Sequence, residues 1–189
     1  MQGNAVHFTP LPKQQGFTLY EALVSATILL ILVGFAAPAF EQLSNRTELN
    51  GEFNALLTAI NRARALAVDS ANRVVLCPAD DEGTACREEP HWHQGWIMFA
   101  DDNHDRERDA DEIIYERSMP MTSGNTATSS RYRRRIGFMP TGTAFGSNVT
   151  IRLCPADGTT QPRAIIISNV GRPRTETIPA SACAGLTGT

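Results

Sequence analysis

Gly16-Phe17-Thr18-Leu19-Tyr20-Glu21 opens a run of 24 residues, Phe17 to Phe40, in which Glu21 is the only charged side chain. As a helix, such a run is long enough to cross a hydrocarbon core about 30 Å thick. A carboxylate near the end of a span is costly in lipid unless it is paired, so Glu21 reads as a functional residue. Its natural partner is the N-terminal amino group of another chain. A short polar leader carrying Lys13 precedes the run, and Pro38 marks where the pattern changes after it.

Beyond Pro38, apolar residues recur at the three-and-four spacing that buries one stripe of a helix: Phe53, Leu56, Leu57, Ile60, Ala63, Leu66 and Ala67. The pattern predicts a helix to about Ser70. Counted from Phe17 it would be roughly 80 Å long at 1.5 Å per residue, far longer than an average globular helix. From Asn72 onward the signal changes to short strands separated by turns. They are read at Arg73 to Cys77, Trp96 to Ala100, Ile113 to Glu116, Ile136 to Met139, Val149 to Cys154 and Arg163 to Ser168, with a last strand after Arg174. Several alternate apolar and polar residues, which predicts antiparallel sheets with one face against the helix or each other. The Ser, Thr, Gly and Asn of Met119 to Arg131 read as a mobile loop. Trp92 and Trp96 are expected in the core with an edge hydrogen bond.

The leader with Lys13, Gly16 ahead of Phe17, and Glu21 five positions after Gly16 resemble the class III signal of type IV pilin-like proteins. That resemblance implies cleavage after Gly16 by a prepilin peptidase, methylation of Phe17, and a retained hydrophobic segment. The segment first anchors the protein in inner-membrane lipid, its C-terminal domain in the periplasm, and later joins the core of an extracellular filament of other major and minor pilins. Pro38 would match the proline that bends many pilin helices. An ordinary secretory signal would carry a small-residue cleavage site after the apolar stretch, and a plain anchor needs no Gly-Phe junction before a lone Glu. The division is then a leader at 1–16, a transmembrane helix at 17–40, its amphipathic continuation at 41–70 and a β-rich domain at 71–189. The fold class is α+β, a pilin fold with the long helix packed on antiparallel sheets.

Cys77, Cys86, Cys154 and Cys183 all follow the membrane segment and so face an oxidising compartment, where an even count points to disulfides. Four cysteines allow three pairings; sequence order joins Cys77 to Cys86 and Cys154 to Cys183. A zinc site of Cys77, Cys86, His91 and His93 is the competing reading, with spacing unlike the common finger patterns.

Charge is uneven. From Asp80 to Glu116 thirteen acids face three arginines, whereas from Met119 to Thr189 eight arginines face Asp157 and Glu176. One face of the domain would therefore suit a polyanion. After the leader every basic residue is Arg, whose planar fork favours bidentate phosphate contacts, although codon bias gives the same composition.

Ala63-Arg64-Ala65-Leu66-Ala67, Val75-Leu76-Cys77, Trp92 and Gly95-Trp96-Ile97-Met98-Phe99 together resemble the GspH/FimT family of minor pilins and pseudopilins. Within it, Gly171-Arg172-Pro173-Arg174 matches the GRxR motif, which implies that Arg172 and Arg174 bind double-stranded DNA in natural transformation while Gly171 supplies the turn. The residues by themselves predict a displayed hairpin with both arginines on one side, about 7 Å apart. They equally allow two solvated arginines, or two paired with the acidic stretch. Arg131, Arg133, Arg134 and Arg135 are candidate supporting contacts, with Tyr132 able to stack on a base; the run reads equally as a strand with outward charges.

Asp101 to Glu112 has the spacing of a calcium loop, with Asp101, Asn103, Asp105, Asp109 and Glu112 at oxygen-donor positions. Its sixth position holds Arg106 where that loop wants Gly, and no helix leads in, so a solvated acidic hairpin is the other reading. No nucleophile elbow, metal-protease helix or phosphate loop is present, and His7, His91, His93 and His104 lack a partner set. The expectation is a binding protein without catalysis or cofactor. An assembly or secretion component, either a GspH-like pseudopilin of type II secretion or a minor pilin that primes filaments, is the alternative.

Overall fold

The computed structural model describes residues 16–184, with the side chains of 35–39 excepted. The leader with Lys13, the side chain of Pro38 and the last five residues lie outside the described residues. The chain forms two compact units that divide after Glu41, and helix α1 (Leu19–Asp69) begins in the first and ends in the second.

The first unit is dictated by local chemistry. Thr18 Oγ1 accepts the Glu21 backbone N–H at 3.3 Å, so Thr18 caps the helix start, and its hydroxyl also donates to the Glu21 carboxylate at 3.5 Å. Glu21 also complements the positive end of the helix dipole. Ser25 and Thr27 donate to the carbonyls of Glu21 and Leu23 at 2.7 and 2.8 Å, which satisfies the hydroxyls inside an otherwise apolar run. Phe17, Leu19, Leu23 and Leu29 through Val33 are exposed in the isolated chain. Among the described residues no helix is long and apolar enough to cross a membrane; within the apolar run the side chains of 35–39 are not among them.

In the second unit, Leu49, Phe53, Leu56, Ala59, Ile60, Ala63 and Ala67 form the buried stripe of α1, with Leu57 and Leu66 half-buried beside it. The small residues at the C-terminal end of the stripe let the sheets approach the helix closely. One sheet has the order β3 (Ile114–Arg117), β2 (Trp96–Ala100), β1 (Val74–Pro78), β5 (Ile136–Phe138); the other has β4 (Thr126–Thr128), β6 (Val149–Cys154), β7 (Arg163–Ile167), β8 (Pro173–Thr177). All pairings are antiparallel. Leu76, Met98, Ile136 and Phe138 from the first sheet, and Ile151, Leu153, Ile165 and Ile167 from the second, close one core over the helix stripe. Trp92 is fully buried and donates its indole N–H to Ser129 Oγ at 3.0 Å. Arg163, at the core edge, lies 3.6 Å over the Phe53 ring and donates to Asn50 at 2.9 Å.

Met119 to Arg131 is not wholly a loop. β4 pairs with β6 within it, and Ala127, Thr128 and Ser129 are buried. Glu52 on α1 fixes the approach, accepting hydrogen bonds from Ser123 at 2.6 Å and Asn125 at 2.8 Å. Three residues are too few for periodicity to separate a strand from a turn, and a side chain distant in sequence supplies the order.

Cys77 is bonded to Cys86 and Cys154 to Cys183, so the cysteines are unavailable to zinc. The second bridge ties the short helix Ala180–Cys183 to the end of β6. The turn after that bridge is organised by Asp157, whose carboxylate accepts the N–H and hydroxyl of both Thr159 and Thr160 at 2.8–3.0 Å and the amide of Asn45 on α1 at 3.3 Å. Burial raises its pKa, but the bonds from Thr160 and Thr159 outweigh that and hold it well below the ordinary carboxylate range. Because the folded value is the lower one, the contribution is present above the unfolded value of about 3.9 and is lost as pH falls through the folded value. Asp157→Ala should cost about 1 kcal/mol at neutral pH, scaled to a partly exposed group. The gap in melting temperature between it and the wild type should narrow as pH is lowered from about 5 to about 2. A gap that stays constant over that range would show that the charged form is not what these bonds require.

Candidate nucleic-acid interface

Gly171-Arg172-Pro173-Arg174 occupies the turn between β7 and β8 and the start of β8, as the apolar strand before it predicts. The turn closes with the Gly171 N–H on the Ser168 carbonyl at 2.9 Å. Pro173 opens the edge strand, where a missing backbone donor is tolerated. Arg172 and Arg174 are both exposed, and among the described residues the guanidinium of neither makes an ion pair or a hydrogen bond.

Pairing registers assign the sheet faces, since cross-strand partners lie on the same side. Ile151, Ile165 and Thr175 form one row, on the face that carries the core; Thr150, Ile166 and Arg174 form a row on the opposite, outer face. Arg152 lies on that outer face, in the row of Ala164 and Glu176. Strand spacing puts Arg152 and Arg174 roughly 12 Å apart across β7. Arg172 lies one residue before β8, in the same hairpin turn. A shallow cavity of about 440 Å³ opens on this face, lined among others by Arg133, Thr150, Arg152, Ile166 and Ser168. Arg152 and Arg174 thus share the outer face of the second sheet with the acid Glu176, Arg133 borders the cavity on that face, and Arg172 stands at the hairpin turn. Arg152 was readable in Val149-Thr150-Ile151-Arg152-Leu153, where strict alternation sets it opposite the core residues.

The basic run is divided, and only Ile136–Phe138 continues as strand. Arg134 is paired with Glu88, and Arg135 with Glu88 at 3.3 Å and Glu107 at 2.5 Å. The hydrogen bond and charge of Arg134, with Arg135 and Arg131 adding to them, hold the Glu88 carboxyl below its ordinary value. Arg134 is therefore already engaged by the acidic stretch. Arg131 and Tyr132 are exposed, and Arg133 donates to the Gly146 carbonyl at 2.9 Å while lining the cavity. Pairing with the acidic stretch, which the sequence allowed to Arg172 and Arg174, is instead taken by Arg134 and Arg135 among the described residues.

The loop Asp101 to Glu112 is closed by its own amides. Asp101 is fully buried, 3.5 Å from Arg73, and accepts the Arg106 N–H at 3.3 Å. Glu112 accepts the N–H groups of Asp102 and Asp109 at 2.8 and 3.0 Å, and Asn103 bonds Asp105 and Asp109. Arg106 takes the left-handed conformation expected of Gly at that position (φ 69°). Its guanidinium leaves the loop and donates to the Phe145 carbonyl at 3.0 Å. Among the described residues no group of three or more His, Cys, Asp or Glu is placed to hold a metal ion. The rings of His91 and His93 lie 5.3 Å apart and tilted by 44°, with His93 Nδ1 3.1 Å from the Ala127 carbonyl oxygen.

The family of the type II transport protein GspH matches residues 52–171, and the prokaryotic N-terminal methylation motif matches residues 11–37. The type IV minor pilin FimU of Pseudomonas aeruginosa, in one crystal form, is similar with a TM-score of 0.51 at 19% identity, over 74% of this chain and 94% of that one. In a second crystal form the TM-score is 0.47 at the same identity, over 73% and 93%. No curated protein matches the chain. At that identity the first likeness establishes the fold, an α+β pilin fold.

Proposed function

We propose that this chain, which belongs to the GspH family, is a minor pilin that holds double-stranded DNA on the outer face of its second sheet for uptake in natural transformation. The observation that carries this reading is the pair Arg172 and Arg174: exposed, unpaired among the described residues, and at a hairpin whose Arg174 shares the outer sheet face with Arg152. Guanidiniums without a carboxylate partner are free to displace the condensed counterions of a duplex. Contact through phosphates alone makes binding independent of sequence.

The methylation motif supports a pilin life cycle: prepilin peptidase removes the leader after Gly16, Phe17 becomes the methylated N-terminus, and residues 17–40 hold the protein in the inner membrane by a single pass. In the filament Glu21 would neutralise the Phe17 amino group of a neighbouring pilin, so the apolar side chains exposed in the isolated chain pass from lipid to filament core. The function is binding without turnover, and no cofactor is required.

Gel retardation tests it. A fragment starting at Gln42, where the second unit begins, should retard duplexes of unrelated sequence at low salt and release them as salt rises. Absence of any retardation would remove the DNA reading. What would remain is the role the family's description favours, a GspH-like pseudopilin of type II secretion or a filament-priming pilin.

A further inference from the structure

We propose that Phe145, with the guanidiniums of Arg106 and Arg133 beside it, is a stacking post for an unpaired base, so that this face holds single-stranded DNA as well as duplex; the inference rests on the DNA-binding reading above. Phe145 is 73% exposed, an unusual position for a phenylalanine. Its turn is nonetheless firmly built. Ala144 N–H donates to the Asn169 carbonyl at 2.9 Å, Gly146 N–H to Asn169 Oδ1 at 3.1 Å, and Ser147 N–H to the Ala144 carbonyl at 2.9 Å. The ring is thus displayed on a fixed base beside the turn that carries Arg172, and a ring with two side-chain torsions loses little entropy when it is covered.

The charges around it call for an anion. Arg106 donates to the Phe145 carbonyl at 3.0 Å and Arg133 to the next carbonyl, Gly146, at 2.9 Å, so two guanidiniums converge at the foot of the ring. Burial and the charges of Arg73 and Arg133 pull Arg106 below its ordinary value, with Asp101 acting in the opposite sense. Each guanidinium has five N–H groups and uses only some on these carbonyls. An aromatic face with cations at its base matches a nucleotide, the ring taking the base and the guanidiniums the phosphate. Bases in a duplex are already stacked on each other, so the ring discriminates for unpaired ones. From Arg133 the cavity leads past Arg152 toward Ile166, the cross-strand partner of Arg174, and gives the strand a path.

The test is fluorescence anisotropy of the full chain in non-ionic detergent, with a labelled oligo-dT of about 20 nucleotides and a blunt duplex of equal length. Phe145→Ala should raise Kd for the single strand about tenfold and for the duplex less than about twofold. Phe145→Leu should behave like Phe145→Ala, whereas Phe145→Trp should keep the affinity and show indole quenching on binding. Equal loss on both DNA forms, or no change on either, overturns the proposal. If the wild type binds duplex and Phe145→Ala impairs only filament assembly, the ring belongs to a pilin contact and the inference falls while the DNA reading stands. If the wild type binds neither form, both fall.

Discussion

Gly171→Ala should destabilise the second unit by about 3 kcal/mol, lowering its melting temperature by about 10 °C. Two costs combine. The φ of Gly171 is +80°, and a Cβ there would stand 2.2 Å from the Gly142 carbonyl oxygen and 3.2 Å from the Ala144 nitrogen. The carbonyl has little freedom to retreat, since Arg64 on α1 donates to it at 2.8 Å. Either the hairpin tip lifts away, breaking the bonds that Asn169 accepts from the Ala144 and Gly146 N–H groups, or Arg64 loses its acceptor. Gly158→Ala is the control: its φ is +63° with nothing within 4 Å of the added Cβ, so it should show the backbone cost alone, about 1 kcal/mol. The pair of melting curves separates strain from collision. If the two variants melt within about 2 °C of each other, the tip is not pinned as described.

That collision marks the limit of what sequence reading could reach. Gly171 was recognisable as a turn residue from its neighbours, because Asn169, Gly171 and Pro173 follow an apolar strand. What presses on it, the carbonyl of Gly142, lies on a different turn, and no local pattern reports such a contact. The helix stripe from Phe53 to Ala67 and the strand at Val149–Cys154 were legible because burial imposes period 3.6 or 2 over several residues, and Trp96–Ala100 was legible as a short continuous apolar run buried on both faces. β4 was not legible, since its order comes from β6 and from Glu52 some seventy residues upstream.

The candidate site divides in the same way. Residue type and spacing singled out Arg172 and Arg174 and, by alternation, allowed Arg152. They could not separate Arg131, Arg133, Arg134 and Arg135 from each other, because the difference lies in which of them meets Glu88 and Glu107. Nor could composition reveal that Arg106, numbered among the acidic loop, turns away to the Phe145 carbonyl. The contact of Glu21 with the Thr18 cap was present in the Thr18-x-x-Glu21 spacing, but an acid in an apolar run invites a search for a distant partner before a neighbouring hydroxyl.

Arg172→Ala with Arg174→Ala should lower affinity for duplex DNA about a hundredfold at low salt, with melting temperature nearly unchanged. Neither side chain has a partner among the described residues, so truncation leaves no carboxylate orphaned and no cavity behind. Each arginine that neutralises one phosphate contributes roughly one unit to the dependence of log K on log salt, so the double variant should flatten that slope by about 2. Arg134→Ala provides the opposite control. Removing it takes one of the two arginine partners of Glu88 and leaves Arg135 alone to hold Glu88 and Glu107, which should disturb the domain more than its contact with DNA. Arg152→Ala should fall between, reducing the slope by up to about 1 if the duplex crosses the outer face and leaving it unchanged if contact is confined to the hairpin tip. Equal slopes for the wild type and the Arg172 and Arg174 double variant would mean that the hairpin does not touch phosphates, whatever the affinity.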